Sequence, residues 1–262
     1  MSAIAAPQIP SVSADRRADP RPDGARLTAV ELRKMLDTRA GFWLPLGIAA
    51  ITAITGIVTM LSGTAPDHTF RHVLDNALLP EGLLLPVMGV LLVTGEWSQR
   101  TALTTFTLVP GRSRVLGAKL GAAVIVSVVA LALGLAVSAI AVAVGSGGSA
   151  GTWSLAPVMI PQAFAYLATA MITGVAFGAA VMISAPAIVA YLILPTAWNA
   201  LAGGVHALHH VATWLDSSRS LAPLTSHPLS ATEWAHALAT LAVWMVLPLL
   251  VGWWRLLRHD VG

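Results

Sequence analysis

Residues 120–144 read LGAAVIVSVVALALGLAVSAIAVAV and contain no charged side chain. A helix that crosses the hydrocarbon core of a bilayer needs about 20 predominantly apolar residues, and this stretch is longer than that. Five other predominantly apolar stretches of similar length lie along the chain, at residues 41–61, 78–95, 158–183, 185–203 and 235–254. The pattern predicts an all-α integral membrane protein with six transmembrane helices.

The composition fits the same class of protein. Of the 262 residues 56% are hydrophobic and only 10% are charged, and the mean hydropathy is +0.76. A soluble fold of this size cannot bury so much apolar surface. The net charge of +3 does not indicate a nucleic-acid partner, because the basic residues lie between apolar stretches rather than in one water-exposed cluster. The absence of cysteine excludes disulfides and thiolate metal sites.

Two places are expected to depart from a regular helix. In the second apolar stretch, Pro80, Glu81 and Pro86 predict an irregular outer half. The fifth stretch follows the fourth so closely that residues 184–186 are predicted to form a tight hairpin.

Lysine and arginine in short loops are retained on the cytoplasmic side, so their positions predict the orientation. Residues 1–26, rich in proline and charge, are predicted to be a disordered cytoplasmic tail, followed by the membrane domain at residues 27–262. Only Arg71 and Arg219 then fall outside. The other thirteen basic residues fall inside: Arg16, Arg17, Arg21, Arg26, Arg33, Lys34, Arg39, Arg100, Arg112, Arg114, Lys119, Arg255 and Arg258. Both termini are therefore predicted to be cytoplasmic.

Residues 27–39, just before the first span, are predicted to form an amphipathic elbow helix. At about 100° per residue, one face carries the apolar side chains Ala29, Leu32, Met35 and Leu36. The opposite face carries the charged side chains Glu31, Arg33, Lys34 and Asp37. Such a helix lies in the membrane interface, where it either only sets the topology or docks beside a cytoplasmic partner.

The connection between the second and third spans, residues 95–120, is not simply polar. Ala102, Leu103, Phe106 and Val109 form an apolar stripe if the segment is helical. A surface helix with such a stripe is expected to dock into lipid or into a partner's groove. Basic residues follow at Arg112, Arg114 and Lys119, where they are expected to act first as topology anchors that reach toward the headgroups.

These features resemble the type-2 ATP-binding cassette (ABC) transporter permeases, which include bacterial drug, antibiotic and polysaccharide exporters. The resemblance is carried by ELRKMLDTR at residues 31–39, by RLLRHDV at residues 255–261 and by the pattern after the second span. That pattern consists of Glu96, Arg100, Thr101, Pro110, Arg112, Arg114 and Lys119. With the six-helix topology, the resemblance extends over roughly residues 27–261 and implies a multi-pass protein of the bacterial cytoplasmic membrane.

The resemblance also implies partners. Two copies of a separate ABC ATPase subunit would bind ATP and magnesium, while this chain would bind no cofactor and no metal of its own. A second permease copy, identical or a close paralogue, would complete the complex in the lipid bilayer. The chain contains no GxxxxGK[ST] phosphate-binding stretch, so it is expected to be a transport subunit and not itself an enzyme.

In the family, the elbow helix and the loop after the second span contact the ATPase. The resemblance therefore assigns elbow contacts to Leu32, Met35 and Leu36. It assigns the coupling loop to Glu96, Arg100, Thr101, Leu103, Phe106 and Val109. A family glutamate at the position of Glu96 transmits motion between the cytoplasmic and membrane parts; an N-cap or a surface ion pair is the alternative.

Deep in the predicted spans the polar side chains are hydroxyls and amides. Those proposed to line a substrate pathway are Thr52, Thr55, Thr59, Thr173 and Asn199. No ionisable side chain is expected at this depth. Because carriers coupled to protons or sodium keep such a group near the midplane, its absence favours coupling to ATP elsewhere and an amphipathic substrate without a fixed charge partner.

Three further features have structural interpretations. Ala170, Gly174 and Gly178 form a ridge of small residues on the fourth span, expected to serve packing within the bundle. Residues 204–233 are too apolar for a free loop and, by the resemblance, form short outer helices. Three histidines in that segment, with Asp216, have the spacing of a metal site, although surface histidines explain them as well: His206, His209 and His210.

Two other classes of function remain open at this point. An intramembrane enzyme would need a nucleophile and base or a metal with its ligands, and the spans contain no GxSxG, HExxH or paired carboxylates. A channel or scaffold that is not coupled to ATP is the other alternative. Association with an ATPase distinguishes both from an exporter subunit.

Overall fold

The computed structural model describes residues 23–62, 68–98, 111–145, 152–205, 211 and 214–258, and all regular elements within these ranges are helices. In chain order they are α1 Gly24–Leu36, α2 Arg39–Ser62, α3 Phe70–Ser98, α4 Arg112–Gly145, α5 Met159–Val181, α6 Ser184–Gly204, α7 Ser217–Leu221, α8 Pro223–Ser226 and α9 Ala231–Arg258. Six of these, α2 to α6 and α9, are long and apolar enough to cross a membrane. The predicted all-α architecture is confirmed for the described residues, as are six helices with the length and apolar composition of membrane spans.

The centre of the bundle is the contact between α3 and α5. The apolar window of α3 is 67% buried, against 11% for α6. Glycines allow the two backbones to touch: a Cβ on Gly174 would lie 2.6 Å from the Cα of Pro86, and one on Gly178 would lie 3.1 Å from the Cα of Val90. The ridge of small residues on the fourth span therefore serves packing within the bundle, as expected.

Helix α3 begins earlier than predicted and is continuous. It starts at Phe70 rather than near residue 78, and it passes through Pro80 and Pro86 without the predicted irregular half. The first turns were missed because Arg71 and Asp75 interrupt the apolar run. Their side chains lie one turn apart and form an ion pair, with Arg71 Nε 3.9 Å from Asp75 Oδ2. Both charged residues can therefore belong to the helix.

The turn between α5 and α6 lies two residues before its predicted position. Met182 adopts a left-handed backbone conformation with φ of 63°, and Ile183 is extended. Ser184 is already the first residue of α6. Pro186 therefore falls in the first turn of a helix, where a missing backbone N–H costs no hydrogen bond.

The segment between α6 and α9 contains the two short helices α7 and α8. Asp216 caps α7 by accepting hydrogen bonds from the backbone N–H groups of Ser218 and Arg219. Leu224 in α8 is buried, and Gln162 Nε2 of α5 donates to the carbonyl of His227 at 2.9 Å. Short helices at this place were predicted, and they pack against the bundle.

Helix α9 contains one π-helical turn, at Ala242–Val246. Just before the turn, Thr240 Oγ1 donates to the carbonyl of Trp214 at 2.8 Å. Within the turn, Trp244 Nε1 donates to the carbonyl of Leu215 at 2.9 Å. After it, Gly252 and Leu256 are buried against the bundle. Both halves of α9 thus face inward.

Candidate functional site

Four charged side chains from three helices form one cluster at the end of the bundle where α3 ends and α4 begins. Lys34 Nζ lies 2.9 Å from Glu31 Oε1 and 2.9 Å from Glu96 Oε1. Lys119 Nζ lies 2.6 Å from Glu31 Oε2 and 3.3 Å from Glu96 Oε1. Each lysine therefore contacts both glutamates. We call Glu31, Lys34, Glu96 and Lys119 the ion cluster.

The ion cluster is largely removed from solvent. Lys119 and Glu31 are each 4% exposed, and Glu96 is 8% exposed. The third donor position of the Lys119 ammonium is used as well, because Nζ donates to the carbonyl of Leu92 at 2.9 Å. Two positive and two negative charges balance, which is the condition under which charges are tolerated in a protein interior.

Lys34 is the member of the ion cluster that reaches solvent. Burial opposes its charge, but the hydrogen bonds from Lys34 to Glu31 and Glu96, together with their negative charges, outweigh burial and raise the pKa of Lys34. The ammonium therefore stays charged throughout the physiological pH range. Its side chain is 40% exposed, so water screens part of this attraction.

The ion cluster depends on how α1 sits against the bundle. Glu31 and Lys34 are three residues apart and so share one face of α1. A close approach to α4 holds that face inward: a Cβ added to Gly121 would lie 3.0 Å from Thr28 Oγ1. Lys119, two residues before Gly121 on α4, completes the contact between α1 and α4 through its side chain.

The structure has a helix, α1, where the elbow helix was predicted, but its bounds and its faces differ from the prediction. Residues 27–39 were expected to form one helix, whereas α1 ends at Leu36 and Arg39 begins α2. Leu32 and Met35 pack partly against the core, but Leu36 is 59% exposed. Glu31, expected on the polar face, is the buried residue of α1 because Lys119 and Lys34 neutralise it.

The basic residues at the start of α4 have separate roles. Lys119 was predicted to be a topology anchor near the headgroups, and this is wrong because its side chain is buried in the ion cluster. Arg112 Nη1 donates to the carbonyl of Leu256 at 2.6 Å and so joins α4 to the end of α9. Arg255 on α9 donates in turn to the carbonyl of Ala180.

Of the residues predicted for the coupling loop, only Glu96 is described. Its burial and its two lysine partners exclude the alternative of a surface ion pair. The alternative of a helix N-cap concerns the residues after Ser98, which lie outside the described ranges. The other predicted members lie outside the described residues: Arg100, Thr101, Leu103, Phe106 and Val109.

The predicted substrate-pathway residues do not form one site. Thr55 and Thr59 line a cavity of about 340 Å³ between α2 and α3, together with Ile54, Val58, Ser62, His72 and Asn76. Thr173 and Asn199 are not among the residues that line it. The Thr173 hydroxyl donates to the carbonyl of Thr169 at 2.6 Å, and Asn199 Nδ2 donates to Asp216 Oδ1 at 3.0 Å.

Glu81 contradicts the expectation that no ionisable side chain lies deep in the spans. It is the twelfth residue of α3, fully buried, and its Oε1 lies 3.4 Å from Thr52 Oγ1. Its Oε2 has no hydrogen-bond partner among the described residues. The sequence signal for this buried acid is a glutamate inside an apolar stretch. Pro80 and Pro86 beside it predict an irregular segment instead of a buried helix.

The histidine-rich segment offers no metal site that the structure describes. His206, His209 and His210 lie outside the described residues. Asp216, their proposed fourth partner, is engaged in capping α7 and in holding Asn199. Within the described ranges no three histidine, aspartate or glutamate side chains come together as metal ligands.

Comparison with known proteins adds no assignment, since no protein-family model and no curated protein sequence matches the chain. The function has to be inferred from its own residues and their geometry.

Proposed function

We propose that the chain is the membrane-spanning subunit of an ABC exporter in the bacterial cytoplasmic membrane. In this proposal two permease subunits and two ATPase subunits assemble, and ATP hydrolysis on the ATPase moves an amphipathic substrate outward. The order of motifs along residues 27–261 supports the assignment. The ion cluster is the structural observation that carries it.

The ion cluster joins the three elements through which a cytoplasmic partner would act. Glu31 and Lys34 belong to α1, Glu96 lies near the end of α3, and Lys119 lies in α4. Residues 99–110 connect α3 to α4, so both ends of that connection are tied to α1. A force applied by a partner to α1 or to the connection is thereby passed to α3.

Helix α3 is suited to carry such a force into the membrane. It is a single helix of 29 residues, which corresponds to about 43 Å at 1.5 Å per residue. It is also the most buried of the six candidate spans. Because interiors are close-packed, a displacement at its Glu96 end has to be accommodated along α5.

The coupling to ATP no longer draws support from the membrane interior. An absence of ionisable side chains deep in the spans would favour coupling to ATP, but Glu81 is ionisable and buried there. The proposal therefore rests on the ion cluster, on the order of the motifs and on the absence of a phosphate-binding stretch in the chain.

The decisive experiment removes the apolar stripe of residues 102–109. Leu103→Ala/Phe106→Ala is expected to weaken the binding of an ABC ATPase to the tagged chain by one to three orders of magnitude. Recovery of the ATPase with the tagged chain is expected to fall accordingly. The reason is that truncating a buried aromatic anchor costs on the order of 2–4 kcal/mol of binding. ATPase recovery and substrate export are measured at matched membrane abundance.

The matched control is Thr104→Ala/Thr105→Ala, which changes two neighbouring residues outside the stripe. It is expected to retain both ATPase recovery and export. Full recovery of both in the Leu103/Phe106 variant would eliminate this loop as the coupling element and leave α1 as the remaining candidate. Failure of the unsubstituted chain to retain any ATPase would contradict the proposed function itself.

The orientation makes a second prediction. The chain has no cysteine, so single cysteines can be introduced and labelled with an impermeant maleimide in intact cells. Cysteines at Asp67, Gly148 and Ser217 are expected to be labelled, because the basic residues place these positions outside. A cysteine at Ser113 is expected to be protected. Labelling at Ser113 with protection at Gly148 would reverse the topology.

A further inference from the structure

The carboxyl group of Glu81 is buried in the bundle interior and only partly hydrogen-bonded. The residue is 0% exposed, its only hydrogen-bond partner is the Thr52 hydroxyl at 3.4 Å, and Oε2 has none among the described residues. Within those residues it also has no ion-pair partner, unlike the glutamates of the ion cluster. A buried carboxylate without a counter-charge is costly, so this site requires a positive ligand.

The surroundings limit what that ligand can be. A Cβ added to Gly134 of α4 would lie 3.4 Å from Oε1 and 3.5 Å from Oε2, so a methyl group at that position would be in ordinary contact with the carboxyl. A metal cation needs several oxygen ligands, and among the described side chains that bond this carboxyl only Thr52 adds one to the carboxyl oxygens. A substrate amine carries a carbon chain besides its methyl-sized ammonium group, and Leu74 Cδ1, 3.6 Å from the same Cβ position, stands in the way of that chain. A proton needs neither room nor further ligands.

We propose that Glu81 is a proton-binding site inside the membrane-spanning bundle. In the packing described here a lone pair of the carboxylate forms an O–H bond with a proton from a hydronium ion, which is left as water, and the neutral acid fits the low-polarity interior. The proton is released when α2 and α3 separate and water reaches the carboxylate. This inference goes beyond the proposed function and does not depend on an ATPase partner.

A polar seam between α2 and α3 marks the route of exchange. Thr52 and Thr59 are both buried on α2, and Asn76 Nδ2 of α3 donates to Thr59 Oγ1 at 3.3 Å. Asn76 precedes Glu81 by five residues, about 7.5 Å along the helix. The cavity of about 340 Å³ opens at the Thr59 and Asn76 end. Protons would thus exchange through the end of the bundle opposite the ion cluster.

Few titratable groups face this carboxyl. Helix α2 presents Thr52 and α4 presents Gly134, neither of which ionises. From α5 the Tyr166 phenol lies against the backbone of Gly82. The phenol is neutral in the physiological range.

The remaining titratable groups lie earlier on α3 or on α6. Arg71, His72 and Asp75 are on α3, between six and ten residues before Glu81, and Arg71 faces Asp75. On α6, Tyr191 packs edge to face on Phe177 of α5. No charged side chain among the described residues forms an ion pair with Glu81. Whether Glu81 holds a proton therefore depends on its burial and on whether water enters between α2 and α3.

Infrared spectroscopy of the purified full-length chain in lipid vesicles at neutral pH tests the proposal, because a protonated carboxyl has a carbonyl band that a carboxylate lacks. The expected result is one such band, lost in Glu81→Gln and retained in Asp75→Asn, which changes an acid to its amide elsewhere on α3. Thr52→Val is expected to keep the band and move it to higher frequency, because the only hydrogen-bond partner is removed.

Thermal unfolding gives a second readout. A folded chain that holds one proton more than the unfolded chain loses stability as pH rises. Between about pH 5 and about pH 7, above the ordinary range of a glutamate in the unfolded chain, the melting temperature of the wild type is expected to fall relative to that of Glu81→Gln by a few degrees per pH unit. A band that survives in Glu81→Gln, a band lost only in Asp75→Asn, or equal pH slopes would each overturn the proposal. If Glu81→Gln fails to fold, the absence of a frequency shift in Thr52→Val does so.

Discussion

A chain carrying Lys119→Met is expected to unfold roughly 10 °C below the wild type, a loss of about 3–5 kcal/mol. Methionine fills similar space but leaves Glu31 and Glu96 with one lysine between them and the carbonyl of Leu92 without its donor. The cost is large because Lys119 is 4% exposed, so water cannot replace its contacts. Thermal unfolding of the purified chain in detergent measures it.

Lys34→Met is the matched control. It removes the other lysine of the same ion cluster, but that side chain is 40% exposed and partly screened by water, so less than half the shift is expected. Adding Glu31→Gln to Lys119→Met restores the charge balance and is expected to recover part of the loss. Equal shifts for the two lysine variants would show that Lys119 is as accessible as Lys34.

Gly174→Ala is expected to cost about 3 kcal/mol, the upper end of the range for overpacking a core. The added methyl group would lie 2.6 Å from both the Cα and the carbonyl carbon of Pro86, so backbone rather than a flexible side chain has to move. α3 and α5 would have to separate along their whole contact. The shift is measured by unfolding the purified chain and by its abundance in the membrane.

Two other glycines provide a graded comparison. Gly178→Ala places its methyl 3.1 Å from the Cα of Val90, and a loss of about 1 kcal/mol is expected. Gly47 in α2 has nothing within 4 Å of an added Cβ, so Gly47→Ala is expected to be neutral or to stabilise by up to about 1 kcal/mol. Any other order of the three variants contradicts the described contact between α3 and α5.

The six spans could be predicted because their signal is local. Each needs only an apolar run of sufficient length, and the third run at residues 120–144 lies wholly inside α4. The same rule failed at helix ends. Arg71 near the start of α3 and Lys119 in the second turn of α4 interrupt an apolar run but not a helix, so both helices begin earlier than the runs that predicted them.

The ion cluster could be predicted only in part. The resemblance to the permease family implied that Glu96 and the residues before the first span contact the same partner. It could not indicate that Glu31 is buried, because burial of that charge depends on Lys119, which is 88 residues away in the chain. Helical periodicity places charged residues on the exposed face of α1, and a contact between distant charges reverses that rule here.

Glu81 shows a different limit. Two prolines near a glutamate favour a break in a helix when read locally, but in a membrane bundle the neighbouring helices support a continuous one. Once α3 is continuous, Glu81 is carried to its middle and Thr52 and Gly134 close around it. The tertiary packing, not the local sequence, makes this residue a site.

The π-helical turn of α9 helps to set which residues of the last span face the bundle. Residues four apart in a regular α-helix drift by about 40°, so Thr240, Pro248 and Leu256 would be spread over roughly 160° of its circumference. All three are buried, and the wider turn at Ala242–Val246 offsets part of that drift. A one-residue deletion in the regular helix between the turn and Gly252 would rotate Gly252 by about 100°, away from Ala179 of α5. Insertions and deletions in this span are therefore constrained as strictly as substitutions in its core.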